Sequence, residues 1–177
     1  MPASNASPVD ALAVSRRILK ILVVLNYAMG AGIACLLVAS LVAPGFTMAA
    51  LGLPIAAGSS GLVLQARLIM VIGILAVALS AVVLRYLLAI VDTVRRGDPF
   101  VSENTARLEA IAWSILGLEV LHMIIGIVVS GAIISGRPIN IGWSLWDTRW
   151  LSIPLLFVLA KVFAHGARMR DDLAGTV

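Results

Sequence analysis

The sequence predicts an all-α integral membrane protein, a four-helix bundle with both termini in the cytoplasm, and three observations carry that expectation. Of its 177 residues, 61% are hydrophobic and only 12% charged, with a mean hydropathy of +1.07; soluble domains carry roughly a quarter charged residues. The apolar residues fall in four runs too long for buried strands or ordinary core helices. The charges gather between those runs, most densely in Arg95–Glu109, RRGDPFVSENTARLE. A net charge of +4 would suggest nucleic-acid binding in a soluble domain, but here the basic residues border the apolar runs. Bilayer edges account for them, so no direct nucleic-acid binding is expected.

Residues 1–15 read as a flexible tail, with Val9–Ile18 able to extend the first helix, and 16–177 as one transmembrane domain. Span 1 covers about 20–43 and stops at Pro44-Gly45, where a donor is lost and the backbone is permissive. Its length exceeds a cleavable signal's apolar core, so it reads as retained. Gly30 and Ala34 within it form a small-x-x-x-small face suited to close helix approach. Residues 46–65 are apolar but broken by Gly52, Pro54, Gly58 and Gly61, and are expected at the outer surface or over the helix ends. Span 2 covers about 68–91, with a start as early as Leu62 open, and Gly97 ends its helix. A cytoplasmic loop follows over 92–110, with Ser102 as a cap and Glu103 in the first turn of the next helix. Span 3 covers about 111–134, closed by Gly136, Arg137 and Pro138. Trp143, Trp146 and Trp150 share one face of a short helix, lying in the outer interface or leading into the last span. Span 4 covers about 151–165, and its helix can run through the tail, 166–177, toward Leu173. Pro154 either kinks it or sits in its first turn.

Orientation follows from positive charge. With the N-terminus inside, the inner side collects Arg16, Arg17, Lys20, Arg95, Arg96, Arg107, Arg168 and Arg170, with Arg85 and Lys161 able to snorkel there. The outer side holds Arg67, Arg137 and Arg149. The imbalance places both termini in the cytoplasm, and a multi-pass protein of a bacterial inner membrane is expected.

Glu119 is the least comfortable residue, deep in span 3, where a lone carboxylate costs several kcal/mol. Arg85 and Lys161 are its expected partners, with His122 at i+3 and Asn26 at comparable depth in span 1. Two readings of this cluster stand: a structural ion pair, which is preferred, and a group that senses, binds or conducts. His122 and His165 differ in depth and have no third ligand at clear spacing, so neither metal nor haem is expected, nor any other cofactor. Cys35 reads as a small hydrophobe within span 1. H-E-x-x-H, G-x-S-x-G and paired intramembrane aspartates are all absent, so no enzyme is expected and no catalytic residue is assigned.

Two blocks carry a resemblance. Arg95-x-Gly97-x-Pro99-Phe100-x-x-Glu103-Asn104-x-x-Arg107-Leu108 is the first. The second is Phe157–Phe163 followed by Gly166-Ala167-x-Met169-Arg170-x-Asp172-Leu173-x-Gly175-Thr176-Val177. Together they resemble the bacterial membrane family DUF2975 over nearly the whole chain. The resemblance implies a four-span inner-membrane protein, often encoded beside a small helix-turn-helix regulator of the Cro/C1 type, and hence a membrane partner of a transcription regulator. It supplies no catalytic residues. Read physically, both blocks fall on the cytoplasmic side and mix charge with apolar residues, and Pro99-Phe100 with Glu103-Asn104 reads as a defined docking or structural turn. Arg95, Arg96, Pro99, Phe100, Glu103, Asn104, Arg107, Arg170, Asp171 and Asp172 form the candidate partner surface. Arg95, Arg96 and Arg107 are expected to pair with Asp171, Asp172 and the terminal carboxylate of Val177. The expected partners are the bilayer and a cytoplasmic protein, with a homo-oligomer left open. The runner-up function is a small transporter or channel component built around Glu119.

Overall fold

Long helices carry all four apolar runs. A computed structural model of the chain describes residues 8–52, 60–130, 133–134, 137–138 and 149–174. Its long helices are α1 (Pro8–Val42), α3 (Ser60–Arg95), α4 (Ser102–Ser130) and α5 (Arg149–Ala174). A short α2 (Pro44–Ala50) follows α1, and a two-stranded antiparallel pair, β1 (Ile133–Ile134) and β2 (Arg137–Pro138), follows α4. Each long helix contains a stretch apolar and long enough to cross a membrane, with mean hydropathy from 1.4 in α5 to 2.6 in α3.

Several expected boundaries shift. Pro8–Ser15 is helical and continuous with α1, not a tail. Pro44 ends α1 and opens α2, because its ring suits the first helical position and its missing N–H is not needed there. Thr47 and Met48 of α2 are buried. Within the inter-span stretch 92–110 the helices run as expected: α3 reaches Arg95 just before Gly97, and α4 opens at Ser102 with Glu103 in its first turn. The last apolar residues assigned to span 3, Ile133 and Ile134, leave the helix and pair with Pro138 and Arg137. β-Branched side chains suit extended backbone, and this pair is the only departure from an all-α chain among the described residues. Pro154 lies inside α5, which continues through Leu173 to Ala174. The expected tryptophan face at Trp143 and Trp146, and the segment around Gly58, lie outside the described residues.

Helices pack in chain order: α1 on α3, α3 on α4, α4 on α5. Contact between α1 and α5 is at most slight, so among the described residues the expected bundle is an open row with α1 and α5 at its edges. Small residues set the spacing. A Cβ added at Gly30 would stand 2.8 Å from Val77 Cγ1, and one at Gly117 would stand 3.0 Å from Leu79 Cδ1. Close approach of this kind substitutes in membranes for a hydrophobic drive that lipid tails cancel. Asn26, buried at the same seam, donates from Nδ2 to the Val77 carbonyl at 3.1 Å.

Two polar contacts mark the ends of the row. Arg16 Nε donates to Asp92 Oδ1 at 2.7 Å, joining α1 to α3. At the opposite end Arg67 Nε donates to Ser40 Oγ at 3.0 Å, and its Nη2 donates to the Ser40 carbonyl, one of the last in α1. Along α3 these contacts are about 38 Å apart at 1.5 Å per residue. That matches a hydrocarbon core of about 30 Å plus part of the interfacial layers. The mid-plane therefore falls near Leu79 and the Gly117 it touches.

Candidate functional site

The motif-bearing end of the row is closed by a polar clamp, and its first element is the end of α3. Gly97 takes φ +84°, a left-handed conformation that other residues rarely adopt. The Gly97 N–H donates to the Val94 carbonyl at 3.0 Å and the Asp98 N–H to the Thr93 carbonyl at 3.2 Å. These bonds satisfy carbonyls that a helix end would leave unpaired and turn the chain sharply toward α4.

Asn104, fully buried in the first turns of α4, locks that turn. Its amide nitrogen donates to Thr93 Oγ1 and to the Pro99 carbonyl, each at 2.8 Å. Thr93 can accept because its own hydroxyl proton goes to the Ile90 carbonyl at 2.7 Å. Asn104 Oδ1 accepts from Arg107 Nη1 at 2.7 Å. Both donors and the acceptor of a buried amide are thereby used, the condition under which such a group stabilises a fold.

From this hub the loop reaches α5. The Phe100 ring lies over Gly166, where an added Cβ would stand 2.9 Å from Phe100 Cδ1. It also meets Phe163 with centroids 5.3 Å apart. Arg170 Nη1 donates to Asp98 Oδ1 at 2.6 Å. This ion pair between loop and α5 has its acid in the loop and its base in α5; the expected partners Asp171 and Val177 lie outside the described side chains. Arg96 donates to the Asp92 carbonyl at 3.2 Å, and Arg107 donates to Asn104. Being part-exposed, the Arg16–Asp92 and Asp98–Arg170 pairs each contribute about 0–1 kcal/mol. Together they tie α1 to α3 and the loop to α5.

The candidate partner surface therefore divides. Asn104, Pro99, Phe100, Arg107 and Arg170 hold the clamp together. Arg95, Arg96 and Glu103 are exposed, as is Asp172, while the side chain of Asp171 is outside the described residues. A recess of about 460 Å³ opens among Thr93, Arg96, Asp98, Val101, Glu103 and Arg107. Sequence reasoning missed Arg16, Asp92 and Thr93, whose roles depend on contacts between helices; no local pattern distinguishes them from ordinary residues at a membrane edge.

The intramembrane cluster does not assemble as expected. Glu119 is half-buried about 3 Å from the mid-plane, two residues beyond Gly117. Arg85 lies over the Tyr27 ring at 5.5 Å, within cation–π range, and so faces α1. The Trp113–Phe157 contact fixes the register of α4 on α5 and puts Lys161 about 15 Å from the level of Glu119. Among the described residues, Glu119 forms no ion pair with either cation. Similar counts from each helix end did not translate into shared faces. His122 and His165 lie about 25 Å apart along the row. If Glu119 and Arg85 are independent, stability losses in Glu119→Leu and Arg85→Leu should add within about 0.5 kcal/mol in the double variant. Thermal melts of the solubilised protein check this, and recovery in the double variant would restore the pairing.

Four membrane-length apolar helices and a clamped loop define a multi-pass bacterial membrane protein. The family model for DUF2975, described as proteins of unknown function, matches residues 47–177, from α2 to the end of the chain. The chain belongs to that family. No curated protein and no solved structure matches it.

Proposed function

We propose that the protein is a membrane-embedded regulatory component that holds a cytoplasmic protein on the clamped end of its helix row. The supporting observation is that one buried hub, Asn104, fixes the loop against α4 while Phe100 and Asp98 fix it to α5. Arg95, Arg96 and Glu103 are left outward beside a mixed-charge recess. A rigid surface of mixed charge suits orientation and selection of a partner more than bulk stabilisation. The partner class is a small cytoplasmic protein, of the DNA-binding regulator kind that the family resemblance implies. Affinity capture from gently solubilised membranes should recover it with the parent chain. The triple variant Arg95→Glu, Arg96→Glu, Glu103→Lys keeps the clamp and should lose it; equal recovery from both would remove this surface from consideration.

Holding a cytoplasmic partner requires the clamped end, and both termini, to face the cytoplasm of an inner membrane. In a Cys35→Ala background, cysteine at Ser102 should resist a membrane-impermeant thiol reagent in intact spheroplasts, and cysteine at Ala49 should react. Both native residues are exposed, at opposite ends of the row. The reverse labelling would invert the topology.

A second reading rests on Glu119. A half-buried carboxylate near the mid-plane, with no ion pair among the described residues, is the kind of group that carries protons or binds cations in membranes. Proton flux into liposomes above that of Glu119→Gln would favour it.

A further inference from the structure

A groove of about 670 Å³ runs along α5 from Phe157 to Met169, walled at one side by Phe100 of the loop. Its deeper part is apolar, formed by Phe157, Val158 and Val162. One turn apart on its rim stand Lys161 and His165, both exposed. Neither has an ion pair or hydrogen bond among the described residues.

Depth decides what such a groove meets. Phe157 lies level with Trp113, four residues from the mid-plane at Gly117. Lys161 then lies about 12 Å from the mid-plane, just inside the hydrocarbon edge, and His165 about 18 Å from it, in the headgroup layer. A lysine stem of that depth lies along apolar surface and delivers its ammonium to the phosphate level. There the ammonium supplies three N–H donors and the imidazole supplies one, and among the described residues no acidic side chain lines the groove. A zwitterionic headgroup brings its own cation to the same place, whereas an anionic one leaves the phosphate charge for the protein.

We propose that this groove is a binding site for an anionic phospholipid. Its phosphate sits between Lys161 and His165, and one acyl chain lies along Val162, Val158 and Phe157. Because Phe100 both walls the groove and rests on Gly166, the bound lipid touches the residue that fastens the loop to α5. Lipid occupancy and loop docking thus share one side chain.

Native mass spectrometry of the full chain in detergent, titrated with phosphatidylglycerol or phosphatidylcholine of identical acyl chains, tests the site. Phosphatidylglycerol should bind about fivefold more tightly, the effect of one cation near an anionic lipid. Lys161→Gln with His165→Gln should abolish that preference and leave phosphatidylcholine binding unchanged. Arg17→Gln with Lys20→Gln, exposed at the same end of the row, should change it less than about twofold. Inorganic phosphate at equal concentration should not compete, since it lacks the chain that fills the apolar track. Equal binding of the two lipids would overturn the proposal, as would a preference that survives the Lys161/His165 change or disappears equally with the Arg17/Lys20 change. So would effective competition by inorganic phosphate. A lipid-free dimer that dissociates on the Lys161/His165 change would put a second copy in the groove and overturn it as well.

Discussion

Asn104→Leu is expected to lower the melting temperature of the solubilised protein by about 5–15 °C. Leucine fills a similar volume but withdraws two donors and one acceptor from a site with no exposed surface. The Pro99 carbonyl and the Arg107 guanidinium each lose a partner at 2.7–2.8 Å. Leaving a buried polar group unpaired costs about 1–3 kcal/mol, so a total of about 2–5 kcal/mol follows. For a chain of this size each kcal/mol corresponds to about 2–4 °C. Asn104→Asp separates the terms. Its carboxylate keeps the acceptor for Arg107 but presents oxygen to Thr93 Oγ1 and the Pro99 carbonyl, where the amide presented N–H. At least half of the leucine effect should remain. An aspartate variant as stable as the parent would mean that the donated bonds contribute nothing.

Gly166→Leu is the second large expectation. A Cβ at this position meets Phe100 Cδ1 at 2.9 Å and Cε1 at 3.2 Å, so the ring must leave its seat and its contact with Phe163. Overpacking of this kind costs about 1–3 kcal/mol. Leucine's better helix propensity offsets up to about 1 kcal/mol of that, so the melting temperature should fall by only a few degrees. The larger change should be in the loop, since Phe100 is its main apolar anchor on α5. Limited proteolysis between Arg95 and Ser102 should accelerate several-fold, and partner capture should fall with it. Combining Gly166→Leu with Phe100→Ala removes the clash without restoring the anchor. Stability should then recover while proteolysis stays fast. Loss of stability without faster cleavage would show that the ring does not fasten the loop.

The membrane architecture was legible because bilayer thickness imposes a long apolar run that few other environments require. Helix ends were less so. Apolar residues such as Ile133 and Ile134 count toward a span even where the backbone has turned into a strand. Polar turns that remain helical, such as the one holding Asp92 and Thr93 in α3, do not count at all.

The clamp was legible in part. Gly97 after two arginines signals a helix stop, and the structure bears this out. Pro99-Phe100 with Glu103-Asn104 reads as a defined docking or structural turn, but the sequence does not single out Asn104 as the buried hub of that turn. Its burial depends on α3 and α4 meeting at Thr93, a contact between helices that has no local sequence pattern. The same limit explains Glu119. Its depth could be counted from the helix ends, but the rotation of Arg85 toward Tyr27 could not.

Site-specific photo-cross-linking in living cells tests the central claim most directly. A photoreactive residue at Arg95 or Glu103, both exposed beside the recess, should form an adduct with a soluble cytoplasmic protein that mass spectrometry can identify. The same probe at Phe46, exposed at the opposite end of the row, should give no such adduct. The Arg95 and Glu103 adducts should also weaken when Asn104→Leu loosens the clamp. Absence of a protein adduct at both loop positions, or the same adduct from Phe46, would contradict a partner held on the clamped end.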